Sequence, residues 1–301
     1  MSNEAPPPGS GEAFVFIPGP QVSPILCSFP HVGLEWPDRL GPRPQVNLRK
    51  NADLAVDTMG RDLPVASVRA RYSRLVADLN RYEDDIDPAV CRTHPAPRPR
   101  ADPGEPNAPH AHNVPHHRGV IWRQALGNVT ILPRPLSLDA VEDRLEHYHR
   151  PYWRAVAALL ETRRRRFGRA LLLDIHSMPS SVRQDIVIST RRGRTVRPGE
   201  VDIALSALST LPNLEIQVDD PYTGGAITSQ FGRPGAGISA LQIEFNRRLY
   251  LDEQRLQLLD DRSPIPRTAH ARRGPSPAET RTALHTAISR LTTHLLNQCT
   301  A

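Results

Sequence analysis

Apolar positions along this 301-residue chain concentrate most densely at residues 170–181, ALLLDIHSMPSS. Ala170, Leu171, Leu172, Leu173 and Ile175 are apolar, and only Asp174 interrupts them. A run this short and continuous predicts a strand buried on both faces of a sheet. Pro179 cannot extend a central strand, so the chain turns there. The same criteria predict strands at 14–17 and 24–28 around a Pro-Gly-Pro turn, and at 183–190, 214–220 and 241–245. Residues 66–81 alternate and then become apolar, which predicts a strand or strand pair. Helical spacing recurs over 138–167 through Val141, Leu145, Tyr148, Tyr152, Val156 and Leu159, with Ser137 as N-cap. Pro151 lies inside that pattern and predicts a kink. Further helices are expected at 48–59, 198–211 and 277–297.

Between these elements the chain loses periodicity. Residues 1–12 read as a polar, proline-rich tail, 82–118 as a long surface loop, 221–253 as a glycine-containing loop leading into a strand, and 262–277 as a linker. The expected organisation is a disordered tail over 1–12, one main domain over 13–262, then a linker and closing helix over 263–301.

The polar residues that punctuate the apolar strands carry the candidate chemistry. His176 follows the central run at the carboxyl end of its strand, where open α/β sheets place their ligands. Asp174 shares its strand face and is placed to orient the imidazole; a His-Ser pair that merely caps the strand is the plainer reading. His31 follows the strand at 24–28 in the same way, and Gly33 lets the backbone turn. Two histidines at two strand ends suit a metal site built from ligands distant in sequence. Asp53 and Asp57 lie four apart, and either can add a carboxylate or simply be solvated; Glu35 competes for the role. Asn80 and Arg81 offer a carboxamide beside a planar guanidinium, suited to a carboxylate, although Arg71, Arg74, Asp78 and Arg81 can equally form surface ion pairs. Glu244 sits among Leu241, Ile243 and Phe245, and a buried glutamate needs a partner or a task. His94, His110, His112, His116 and His117 lie in the long loop, where little fixes them in a metal geometry.

Composition narrows the partners. The net charge of +6 comes from arginine, Lys50 being the one lysine. The longest basic run, 163–166, closes a helical pattern where cations complement the helix dipole, so no nucleic-acid partner is expected. Cys27, Cys91 and Cys299 lack CxxC spacing, which speaks against a disulfide framework or a cysteine zinc site. No apolar stretch approaches a membrane span. The amino terminus has no secretory pattern, so a cytoplasmic location without a membrane partner is expected. No GxxxxGK[ST] supports a phosphate loop.

Taken in order, SFPHVGLEWP, NADLAVD, ARYSRLVADLNR, RGVIW, HRPYW, LLLDIHSMPS, DIVIS, DPYTGGAITSQFG and ALQIEFNRRLYLDE resemble the N-formylglutamate amidohydrolase family over about residues 24 to 253. The resemblance implies an α/β fold similar to zinc carboxypeptidases, with a mixed central sheet flanked by helices on both faces. It implies Zn2+ held by His31, His176 and a carboxylate, Asp53 being favoured over Asp57 and Glu35. It further implies Glu244 as general base, Arg71 as oxyanion stabiliser, and Asn80 and Arg81 as holders of the substrate carboxylate. Tyr222, Gly224 and Gly225 would close over the amide. The substrate would be a small N-acyl amino acid such as N-formyl-L-glutamate. The 85–117 segment departs from the family pattern and leaves the particular acyl-amino acid open. An amidase for another N-acyl amino acid and a non-catalytic binding protein of the same fold are the alternatives. The sequence leaves the oligomeric state undetermined.

Overall fold

The computed structural model describes residues 4–95, 118–262 and 274–297. Its spine is a seven-stranded mixed sheet. The strands are β1 (Phe14–Ile17), β2 (Ile25–Phe29), β3 (Ala66–Ala70), β6 (Ala170–Met178), β7 (Ile186–Ser189), β8 (Ile216–Val218) and β9 (Ile238–Asn246), in the order β1-β3-β2-β6-β9-β7-β8. Two short ribbons, β4 (Gln124–Ala125) with β5 (Val129–Thr130) and β10 (Leu251–Asp252) with β11 (Gln257–Leu258), lie outside it. β3, β2, β6 and β9 run parallel, whereas β1 and β7 pair antiparallel at either side. Every residue of β6 and of β9 is buried, as the largely apolar run of β6 predicts for a central strand.

Side-chain alternation sorts these strands between two cores. Leu171, Leu173 and Ile175 of β6 face a core completed by α3 (Pro198–Leu208) and α5 (Pro277–Asn297). Ala170 and Leu172 face the opposite core, made with α2 (Arg150–Phe167) and α4 (Ala226–Phe231). Helices therefore cover both faces. Leu284, Ile288, Leu291 and Leu295 of α5 are fully buried, each contributing about 1.5–3 kcal/mol by burial. The carboxyl-terminal helix is thus packed into the same core as the sheet.

Several expected elements are built differently. Over 48–59 there is no α-helix but two 3-10 turns, Leu48–Asn51 and Val56–Thr58, with Ala55 in the left-handed region at φ 58° between them. The strand expected over 66–81 ends at Ala70, and Asn80 and Arg81 lie in a turn. Leu75, Val76, Ala77 and Leu79 are buried there although irregular; an apolar run cannot distinguish a buried loop from a strand. Helix α1 (Leu138–Arg144) starts at Ser137, whose hydroxyl accepts from the Ala140 N–H at 3.2 Å. It passes through a π-turn, Leu145–His149, before α2 restarts with Pro151 in its first turn. The π-turn relieves the clash and missing donor that proline brings to a continuous helix.

Within residues 1–12, read as a tail, the Glu4 carboxylate reaches the fully buried Arg163 guanidinium at 2.7 Å. Within the expected loop, Val90 and Cys91 are buried against Val120, Ile121, Val141 and Leu145, so that part is core. His110, His112, His116 and His117 lie outside the described residues, as does most of the linker expected at 262–277.

Candidate active site

Asp174 and His176 belong to the strand positions that face α2 and α4, as do Gln242 and Glu244 on β9. Register places Asp174 opposite Gln242 and His176 opposite Glu244. His31 lies two residues beyond β2, itself paired to β6. Three parallel strands thus deliver their polar residues to one place at their carboxyl ends. Asp53 arrives from the irregular segment between the two 3-10 turns, and its N–H donates to the His31 carbonyl at 2.9 Å.

The imidazoles of His31 and His176 meet edge to face with ring centroids 4.9 Å apart. Each turns Nε2 to a carboxylate: His31 to Asp78 Oδ1 at 2.7 Å and His176 to Asp174 Oδ2 at 2.9 Å. Both turn Nδ1 to Asp53 Oδ2, at 3.3 Å from His31 and 3.1 Å from His176. All three side chains are buried. Among the described residues His31, Asp53 and His176 are the one group of His, Cys, Asp or Glu able to share a metal ion, their ligand atoms lying within 4.8 Å of one another. His31 Nδ1 is buried without a hydrogen bond. An orphaned nitrogen aimed at a carboxylate oxygen is what a metal ligand looks like when its other nitrogen is already held.

The supporting shell is dense. Asp78 Oδ1 also accepts from the Asn80 N–H at 3.0 Å, while its Oδ2 accepts from Arg74 at 3.0 and 2.7 Å and from the Trp122 indole at 3.0 Å. Asp174 Oδ1 accepts from Ser28 at 2.7 Å, and the Tyr152 hydroxyl stands 2.9 Å from that serine. Arg247 lies 3.6 Å from Asp53 Oδ1 and donates to the Ala52 carbonyl, to Ser177 and to Glu253.

The electrostatics call for positive charge between these groups. Burial pushes Asp53 up, but the hydrogen bond with His176 and the close approach of His31 outweigh it and hold the carboxyl well below its usual range. Burial likewise opposes ionisation of Asp78, and the charges of Arg74 and His31 overcome it. Burial lowers His176, yet Asp174 and Asp53 together raise it well above an ordinary histidine. A cation, proton or metal, is stabilised at that point. Glu244 is pushed up to about 7, by burial and the neighbouring Asp53 and Asp174 charges, with His176 pulling the other way. Its Oε1 accepts from Gln242 Nε2 at 2.7 Å.

The other expected residues are distributed as follows. Asp57 pairs with Arg69 at 3.0 Å and Glu35 with Arg71 at 2.8 Å, so neither carboxylate faces the two imidazoles. Arg71 is drawn outward by Glu35 and by the Gly11 and Glu12 carbonyls; the arginine whose charge reaches Glu244 is Arg74. Asn80 accepts from the Ile227 N–H at 3.0 Å, and its Nδ2 lies 3.4 Å from His176 Nε2 and 3.5 Å from Gln242 Oε1. Arg81 donates to the carbonyls of Asn80 and Arg118 at 2.9 and 3.3 Å. Gly225 packs so closely that a Cβ there would sit 2.2 Å from Asn80 Nδ2, and its N–H donates to Gln242 Oε1 at 3.1 Å. The Tyr222 phenol, pushed up to about 12 by burial with the Glu244 and Asp53 charges, shares their field. Gly224, at φ 105°, packs against Arg191. Trp122, Arg247 and Ser28 carry no local sequence signal for the site; Gln242 shares a strand face with Glu244, as alternation along the strand predicts.

The N-formylglutamate amidohydrolase family model matches residues 23–251. An N-formylglutamate deformylase from Pseudomonas putida is 27% identical over 245 residues, covering 76% of this chain and 82% of the relative. One from Pseudomonas aeruginosa is 26% identical over 252 residues, covering 77% and 83%. The crystal structure of N-formylglutamate amidohydrolase from Ralstonia eutropha JMP134 superposes with a TM-score of 0.71 at 29% identity, covering 96% of this chain and 98% of that one.

Proposed function

The chain belongs to the N-formylglutamate amidohydrolase family, and we propose that it is a zinc-dependent hydrolase of N-formyl amino acids, N-formyl-L-glutamate foremost. It would cleave the formamide C–N bond and yield formate and the free amino acid. The observation that carries this reading is the convergence of two imidazole Nδ1 atoms on Asp53 Oδ2, with the Glu244 carboxylate in register beside His176.

His31, Asp53 and His176 would hold the metal. Two imidazoles and one carboxylate suit Zn2+ and leave a coordination position open. When bound, the ion supplies a Lewis acid for the formyl oxygen and lowers the pKa of a water towards about 7. Asp78 and Asp174 keep each imidazole in the tautomer that presents Nδ1. Glu244 takes a proton from the attacking water and returns it to the leaving amine nitrogen. Gln242 occupies Oε1, so Oε2 is the oxygen that carries the proton. Arg74 replaces Arg71 as the guanidinium that offsets negative charge developing on the formyl oxygen. Asn80 and Arg81 would receive the substrate's α-carboxylate, and Tyr222 with Gly224 and Gly225 would border the amide.

The test is metal analysis of the purified protein together with formate release from N-formylglutamate, N-formylaspartate and N-acetylglutamate. Stoichiometric zinc with turnover of N-formylglutamate above the other two is expected. Absence of turnover on all three by the metal-loaded protein would refute the reading.

A further inference from the structure

Trp122 carries two guanidinium groups: Arg74 Cζ lies 4.7 Å from the ring centroid and Arg118 Cζ lies 5.0 Å from it. Their situations differ. Arg74 is answered by Asp78 through two hydrogen bonds. Arg118 has no carboxylate within ion-pair distance among the described residues, and its Nε is buried without a hydrogen bond. Burial and the like charge of Arg74 both lower its pKa, and no anion opposes them. A buried guanidinium N–H without an acceptor costs free energy. Stacking on an indole offsets only part of that, since cation–π contacts leave the in-plane donors unsatisfied.

The place of this cation is informative. Trp122 Nε1 donates to Asp78, whose other oxygen holds His31. The Arg118 carbonyl accepts from Arg81 Nε at 3.3 Å. Arg118 therefore stands next to the arginine assigned to the α-carboxylate, on the aromatic ring that backs the metal-ligating histidine. Resting on the hydrolase reading above, we propose that Arg118 binds the side-chain carboxylate of the substrate and makes the enzyme selective for N-formyl amino acids that carry a second carboxylate. Arg81 and Arg118 then answer the two negative charges of N-formylglutamate separately, and the planar fork of Arg118 suits a bidentate carboxylate.

The experiment compares wild type, Arg118→Gln and Arg118→Lys on N-formylglutamate and on N-formylglutamine, which is isosteric but neutral in its side chain. Loss of a charge-assisted contact should raise KM for N-formylglutamate about 10- to 100-fold in Arg118→Gln, with kcat within a few-fold and N-formylglutamine kinetics unchanged. Arg118→Lys keeps charge and stem and should recover part of the loss. An equal loss on both substrates, or none on either, overturns the proposal in favour of a purely structural stacking role. Binding of glutarate, measured by calorimetry, tests the clamp without turnover. Affinity at least tenfold weaker in Arg118→Gln supports the clamp even if wild type hydrolyses neither substrate, an outcome that would refute only the hydrolase reading; equal affinities overturn the clamp.

Discussion

His176 and Glu244 stand opposite one another in register on adjacent parallel strands, β6 and β9. Because both strands are central and fully buried, neither side chain can drift from the other without breaking the sheet. The ligand and base proposed above would thus sit on rigid elements, with only the loop residue Asp53 to be brought to them.

Glu244→Gln keeps shape and burial while removing the basic oxygen. Formate release should fall about 10²- to 10⁴-fold in kcat, with zinc content by atomic emission unchanged. Normal turnover would remove Glu244 from the mechanism, and a metal-free variant would make it a ligand.

His31→Ala and His176→Ala should each purify without stoichiometric metal. Asp78→Asn removes the negative charge and one of the two oxygens that between them serve His31, Arg74 and Trp122. It should weaken metal affinity about 10- to 100-fold, read by competition with a chelator dye. Wild-type affinity in Asp78→Asn would show that Asp78 does not orient His31.

The pair between Glu4 and Arg163 predicts a role for the amino terminus in stability. Arg163 is fully buried and also donates to the Ile25 and Leu159 carbonyls. Glu4→Gln leaves its charge uncompensated and should destabilise the fold by about 3 kcal/mol or more, measured by urea unfolding. An unchanged urea midpoint would show that the contact contributes nothing.

His149 is buried, donates Nε2–H to the Arg81 carbonyl at 2.8 Å and stacks on Trp153. Burial lowers its pKa from 6.5 to about 4, outweighing that hydrogen bond. The unfolded chain therefore binds more protons between those values. Its contribution to stability is complete above pH 6.5 and is lost as pH falls towards 4, by up to roughly 1.4 kcal/mol per pH unit. In His149→Gln, urea midpoints should depend less steeply on pH over that window; an identical slope would exclude His149 as the source.

The sequence by itself determined the elements whose signal is local. A short apolar run interrupted only by Asp174 specified β6, helical spacing specified α2, and polar residues closing or lying within apolar strands marked His31, His176 and Glu244. These follow from the periods of strand and helix, which are properties of consecutive residues. Spacing could not say which of Asp53, Asp57 and Glu35 lies beside the two imidazoles, because that depends on which carboxylates are claimed by Arg69 and Arg71. Nor could it place Arg74 nearer Glu244 than Arg71, or find Trp122 and Arg247, since their partners are remote in the chain. His176 and Asp53 are 123 positions apart. Only the tertiary structure fixes these positions, because the irregular segments that carry Asp53, Asp78 and Trp122 are shaped by buried hydrogen bonds to distant groups and not by any pattern within themselves.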